Sequence, residues 1–171
     1  MNEFLKKKFV SKNGIFVFDI NNEVTRSVAN FYKISPFPNY KDDDKISILQ
    51  KGDKNLLASQ FKKFIGYNKK ILEVGCGTGQ LSNYFSIGTN NSVIGLDATI
   101  ESLNLASIFA KKNNINNVKF VNADIFDDVF TENSFDHIWC NGVLHHTKKP
   151  YDAFKIVIKS LKKNGYILIG L

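Results

Sequence analysis

This chain has little that could cross-link it or anchor it. It carries two cysteines, Cys76 and Cys140, too few for the disulfide framework of a small secreted domain. We read both as reduced thiols of a cytoplasmic protein, placed at or just past the carboxyl ends of central strands and so near one another. No apolar run approaches the length of a membrane span. Met1 to Lys12 is broken by lysines and offers no continuous apolar segment of signal-peptide type. There is no internal repeat and no low-complexity stretch. Prolines number three, and two of them, Pro36 and Pro38, frame Phe37 where neither helix nor central strand can run.

What is present suits one packed domain. The length of 171 residues is enough for one domain and not comfortably for two, and 43% hydrophobic residues support a core. The net charge of +7 comes largely from short lysine clusters, such as Lys6-Lys7-Lys8, Lys69-Lys70 and Lys148-Lys149. They are scattered over expected helix ends and turns and build no stripe. No interleaved basic and aromatic groove accompanies them. The pattern reads as a solvated surface and argues against a nucleic-acid footprint.

From Lys70 onward the pattern alternates strand and helix, which predicts a parallel sheet covered on both faces. Core strands are expected at 70–74, 92–96, 118–121, 135–140 and 166–171. Helices are expected at about 79–85 with Thr78 as a candidate N-cap, at 100–112 with Leu105, Ile108 and Phe109 inward, and at 151–162 with Phe154, Val157, Ile158 and Leu161 on one stripe. Before the core, Ile15 to Phe18 reads as a strand after Asn13-Gly14. Glu23 to Tyr32 reads as a helix with Val24, Val28 and Phe31 on one face. Lys41 to Lys45 reads as a polar turn, and Lys54 to Ile65 as a helix leading into the core.

The stretch Ile71 to Gly79 is the most informative. A buried strand breaks into a glycine-rich turn and opens a helix, so backbone approaches a ligand closely there. Glycines at 75, 77 and 79 give the spacing G-x-G-x-G. A dinucleotide fingerprint would want its third glycine at position 80, which is Gln80. Glu73, two residues before the first glycine, is a poor neighbour for a pyrophosphate and suits a cationic ligand. Asp97 follows about 20 residues on, at the end of the second core strand, placed to accept from two ribose hydroxyls. Its competing use is to cap the helix that follows. Asp124 lies just after the third core strand, with a plain loop acid as its competing reading. Phe135 to His146 runs through the fourth core strand into Asn141-Gly142-Val143-Leu144-His145-His146, beside the crevice where open α/β sheets bind ligands.

These four ordered motifs resemble those of the class I S-adenosylmethionine-dependent methyltransferases over roughly residues 55–171. The resemblance implies a Rossmann-like doubly wound parallel sheet of order 3-2-1-4-5, and here the usual final antiparallel strand pair has no counterpart. It implies an N-terminal helical lid segment over residues 1–54 and a core over 55–171, which we read as truncated after its fifth strand. It implies S-adenosylmethionine as cofactor and S-adenosylhomocysteine as product. Gly75 and Gly77, with Cys76 and Gly79 in the same loop, would wrap the methionine part, and Glu73 would orient the loop or meet the ammonium. Asp97 would hold the ribose, with Ala98 and Thr99 bordering the adenosine. Asp124 would accept from the exocyclic adenine amine, while Ile125 reads the ring edge and packs its face. Asn141 and Gly142 would face the sulfonium and the acceptor.

The Val-Leu-His-His ending is similar to methyltransferases of small molecules, lipids and quinone precursors. It lacks the Asn/Asp-Pro-Pro-Tyr/Phe motif of many nucleic-acid amino-methyltransferases. His145 and His146 are candidates for a general base, against a plain loop role. Adjacent histidines make a poor metal site and no second cysteine pair is spaced for zinc, so no metal is expected. Phe37 and Tyr40 are assigned to the lid, where a structural plug suits them equally. The fifth strand, left on an edge, is expected to pair with another copy or to lie under the N-terminal segment. The competing functions are a nucleotide-dependent oxidoreductase, a cofactor-binding module inactive as a fragment, and a nucleic-acid methyltransferase.

Overall fold

The computed structural model describes residues 3–40, 46, 47, 49 and 55–171. The turn expected at Lys41 to Lys45 and the helix start expected at Lys54 lie outside the described residues. The strands are β1 (Val10–Lys12), β2 (Ile15–Val17), β3 (Lys70–Val74), β4 (Ser92–Asp97), β5 (Val118–Asn122), β6 (Phe135–Asn141) and β7 (Leu161–Gly170). The helices are α1 (Glu23–Ile34), α2 (Leu56–Ile65), α3 (Gln80–Ser86), α4 (Ile100–Lys112) and α5 (Pro150–Lys159). They form one sheet of order β1-β2-β5-β4-β3-β6-β7. The five core strands therefore stand in the expected 3-2-1-4-5 order, all parallel.

The N-terminal residues join this sheet. Asn13 and Gly14 adopt φ of 56° and 83°, the left-handed pair that a two-residue hairpin needs, so β1 folds back antiparallel on β2. β2 then runs parallel to β5, with Ile15 fully buried. Phe4 stacks on Phe135 at 5.4 Å, and Leu5 bridges to Phe130. Residues 4–17 thus belong to the core domain, through the buried Phe4, Leu5 and Ile15 and the added strands β1 and β2, which narrows the lid expected over 1–54. They also cover the β5 edge and not the β7 edge, where we expected the N-terminal segment as one option.

Successive strand residues face opposite layers, and both layers are dry. Ile71, Val93, Phe120 and Trp139 pack with Phe61, Phe85, Leu103 and Phe109 of α2, α3 and α4. Leu72, Ile94, Val121, Ile138 and Cys140 pack with Ala153 and Val157 of α5. Cys76 belongs to the first layer and Cys140 to the second, so the two thiols are separated by the sheet instead of adjacent. Burial pushes the Cys140 thiol up to about 12.

Several expected faces shift. Leu103, not Leu105, points inward from α4, and Ile108 is 62% exposed. α5 ends at Lys159, and Leu161 begins β7. There, Asn164 takes φ of 70° and the register slips between Phe135 and His137, so Asn164 and Gly165 form an irregularity within the strand instead of a turn before it. α3 is capped by Gly79 and not by Thr78, whose buried hydroxyl donates to the Pro38 carbonyl instead.

Candidate functional site

The carboxyl ends of β3 and β6 diverge where the strand order reverses, and one cavity of about 760 Å³ opens there. Its floor is the glycine loop after β3. Its walls are Asp97 to Thr99 after β4, Ala123 to Phe126 after β5, and Asn141 to Val143 after β6. Its roof is α1, through Val24, Thr25, Val28 and Tyr32, with Phe37, Pro38 and Asn39 beyond it.

The glycine loop is held by the end of β4. The Leu96 carbonyl accepts from the Gly75 and Cys76 amides at 2.8 and 3.0 Å, and Asp97 Oδ2 accepts from the Gly77 amide at 2.8 Å. The Gly79 amide donates to the Cys76 carbonyl at 2.8 Å. These amides are spent on the protein, so the loop is not the open nest of N–H groups that a phosphate requires. Gly75 and Gly77 take φ of 70° and 53°. A Cβ on Gly75 would stand 2.3 Å from Val143, and one on Gly77 would stand 2.3 Å from the Phe37 carbonyl. Gly79, expected beside a ligand, lies outside the cavity lining and makes room for Ala106 and Phe120 in the core.

Glu73, Asp97 and Asp124 all border the cavity. Glu73 is buried and accepts from the Ser82 hydroxyl; burial raises its carboxyl from 4.5 to about 8. Asp97 also accepts from the Thr99 amide through Oδ1 at 2.8 Å. Burial nonetheless holds its carboxyl above the ordinary value. The N-cap residue of α4 is Thr99, and Asp97 engages that end of the chain as an Asx turn while its half-buried side stays open to the cavity. A carboxylate accepts about four hydrogen bonds, so the two amides leave capacity for hydroxyls. Asp124 accepts from the Phe126 amide at 2.9 Å through Oδ1 and from the Thr25 hydroxyl at 2.6 Å through Oδ2. Among the described residues, none of these three carboxyls is in an ion pair with a lysine, arginine or histidine.

Of the other expected residues, Gly75, Cys76, Gly77, Ala98, Ile125, Asn141, Gly142 and His146 line the cavity. His145 does not, although its ring lies 4.0 Å from that of His146 in the short turn Leu144–His146. The Cys76 thiol is buried and lies near Asp97 and Glu73, which together push its ionisation well above the ordinary thiol value, so it is a wall and not a nucleophile. Among the described residues no group of three or more histidines, cysteines or acids is arranged to hold a metal. Phe37 lines the cavity at 73% exposure, while Tyr40 stacks on Phe109 at 4.4 Å and plugs the core. Of the two, Phe37 borders the cavity and Tyr40 packs against the core. Sequence reasoning missed Thr25, Val143 and Lys148 in the lining. The helical repeat of Val24 and Val28 was the signal for the α1 part of the roof.

An acid-lined cleft at the switch point of a 3-2-1-4-5 parallel sheet defines a Rossmann-like class I methyltransferase domain. The chain belongs to the family described as "Methyltransferase domain", whose pattern matches residues 65–171. It is similar to the uncharacterized methyltransferase YcgJ of Bacillus subtilis (strain 168), at 33% identity over 100 residues, which cover 58% of this chain and 39% of that protein. Among solved structures it resembles the [4+2]-cyclase SpnF, with a TM-score of 0.70 at 17% identity over 85% of this chain and 59% of that one. It also resembles phosphoethanolamine N-methyltransferase 2 of Haemonchus contortus, solved with phosphomonomethylethanolamine and S-adenosylhomocysteine, with a TM-score of 0.63 at 23% identity over 68% of this chain and 27% of that one. At those identities the structural likeness is one of fold. The chain spans about two fifths of the length of the B. subtilis relative.

Proposed function

We propose that this domain binds S-adenosylmethionine in the cleft and presents it for methyl transfer to a small-molecule, lipid or quinone-like acceptor, with S-adenosylhomocysteine as product. The convergence of Glu73, Asp97 and Asp124 on one cavity, with no cation paired to them among the described residues, carries this reading. Buried carboxylates without a counter-ion are costly, and a ligand bearing a sulfonium and an ammonium relieves that cost. A pyrophosphate cofactor would add negative charge to it.

The bound cofactor supplies an activated methyl group, so the protein's work is alignment and exclusion of water. The backbone of Gly75 and Gly77 cradles the methionine part above Glu73. Asp97 accepts from the ribose hydroxyls, and Asp124 with the Ile125 amide reads the base. Asn141 and Gly142 border the acceptor side. His146, the histidine of the pair that reaches the cavity, takes up a proton at its ring nitrogen where the acceptor must lose one. Val24, Val28 and Tyr32 of α1, with Phe37, shield the site, so the lid of the N-terminal segment is α1 and residues 37–39. The apolar roof favours an acceptor with a sizeable apolar body. We place the protein in the cytoplasm on its two buried thiols, and assign the β7 edge to pairing with a second copy, which sedimentation of the purified chain tests.

Calorimetry of the purified chain with S-adenosylmethionine, S-adenosylhomocysteine and NAD separates this reading from an oxidoreductase. The two adenosyl ligands should bind and NAD should not. Binding of NAD alone would remove the proposal.

A further inference from the structure

α1 is an unusual roof. None of its side chains is fully buried, and Phe31 and Ile34 on its outer side are 66% and 85% exposed. Two polar links tie its side chains to the core among the described residues. One is the exposed Lys33–Glu101 ion pair at 3.1 Å, of a kind that contributes little in water. The other is the Thr25 hydroxyl donated to Asp124 Oδ2 at 2.6 Å. Asp124 is only 3% exposed, and a hydrogen bond to a shielded carboxylate is among the stronger kinds. Its other oxygen is fixed by the Phe126 amide, and its own amide donates to Asp127 Oδ2 at 3.1 Å. The carboxyl is therefore aimed by a donor from the core and a donor from the lid.

We propose that Thr25 is a positioning residue for the cofactor's base: it orients Asp124 toward the exocyclic amine and so makes closure of α1 part of base recognition. This rests on the proposed cofactor. With two donors already in place the carboxylate can still accept a third, and it does so from a preset direction. The coupling is reciprocal: what tightens the base tightens α1.

The test compares wild type, Thr25→Val and Thr25→Ser in calorimetry with S-adenosylhomocysteine and with S-inosylhomocysteine, whose base carries an oxygen in place of the amine. Valine keeps the shape and removes the donor; serine keeps the donor. Because α1 buries none of its side chains, circular dichroism should show both variants folded; Thr25→Ser should melt with wild type, and Thr25→Val slightly lower for the lost donor to a shielded carboxylate. Thr25→Val should bind S-adenosylhomocysteine about fivefold more weakly, the worth of one hydrogen bond, and Thr25→Ser as well as wild type. S-inosylhomocysteine should show no such difference. Hydrogen exchange over residues 23–34 should slow on adding S-adenosylhomocysteine to wild type, and much less in Thr25→Val. Equal affinity of wild type and Thr25→Val for S-adenosylhomocysteine overturns the proposal while the cofactor assignment stands, and so does an equal loss with both ligands. Failure of wild type to bind S-adenosylhomocysteine overturns both.

Discussion

Asp136 and Asp97 lie at opposite ends of the same parallel sheet, and the fold treats them oppositely. At the amino end, Asp136 accepts from the Lys70 amide at 2.8 Å and pairs with Lys162 at 2.7 Å, and Lys70 in turn pairs with Glu3 at 2.9 Å. Partial burial works against the Asp136 charge, yet the Lys162 ammonium and the Lys70 amide outweigh it and hold the carboxyl below its ordinary value. At the carboxyl end, Asp97 and Glu73 are both raised by burial, and neither pairs with a cation among the described residues. One end satisfies its acids with lysines and amides and is finished. The other end buries its acids beside a cavity, where burial works against their charged forms, which is how a site built for a cation looks.

The sharpest way to break this contrast is to remove one acid from each end. Asp97→Ala should weaken S-adenosylhomocysteine binding by on the order of 100-fold, because it loses the hydroxyl acceptor and leaves the Gly77 and Thr99 amides unpaired. Asp136→Ala should leave binding unchanged and cost stability by less than about 1 kcal/mol, since its lysine partner is solvent-screened. Comparable losses of binding at both ends would end the comparison.

A second test uses protons. Folded Glu73 keeps its proton up to about pH 8, whereas an unfolded glutamate loses it near 4.5. Within that window the unfolded state binds fewer protons than the native one. Stability therefore falls as pH rises from 4.5 to 8 and levels off above. Glu73→Gln removes this dependence and keeps an acceptor for Ser82. It should lie within about 1 kcal/mol of wild type near pH 5 and exceed it by on the order of 4 kcal/mol near pH 8.5, read from urea unfolding at both pH values. Parallel curves for the two proteins would show that Glu73 is not held neutral. The same logic predicts that S-adenosylmethionine, with its extra positive charge, gains affinity over S-adenosylhomocysteine as pH rises toward 8, a trend Glu73→Gln should flatten.

The smallest effect separates two aromatics of one segment. Tyr40→Ala should cost about 1 kcal/mol of stability, through its stack on Phe109, with the cleft intact. Phe37→Ala should leave stability unchanged and lower acceptor turnover more than cofactor affinity, measured as kcat against the cofactor Kd. A stability loss at Phe37 equal to that at Tyr40 would make both of them plugs.

Much of the core was legible. Short continuous apolar runs, the first breaking into a glycine turn, and acids at strand ends mark β3, β4, β5 and β6 and three cavity acids, because a parallel sheet buries both faces of every strand. Helix faces were less legible. Ile108 and Phe31 are apolar at helical spacing yet exposed, since periodicity reports what a helix offers and not what lies opposite. The Asn13-Gly14 turn is a hairpin signal, but nothing local says that β2 joins β5, an adjacency of more than a hundred residues in sequence. Thr25 carried no signal, because a lone hydroxyl on a first helical turn reads the same whether it meets water or a carboxylate.

The chain's residue order by itself determined the alternation of strands and helices, the bend of the glycine loop and the presence of acids at three strand ends, because these follow from steric limits and solvation acting over a few neighbouring residues. Only the tertiary structure decided which acids would stand without a cation among the described residues, which thiols the sheet would keep apart, and that the first helix would line the cleft and bond Asp124. Those outcomes depend on which groups exclude water from which others, and burial is a property of the assembled layers and not of any one segment.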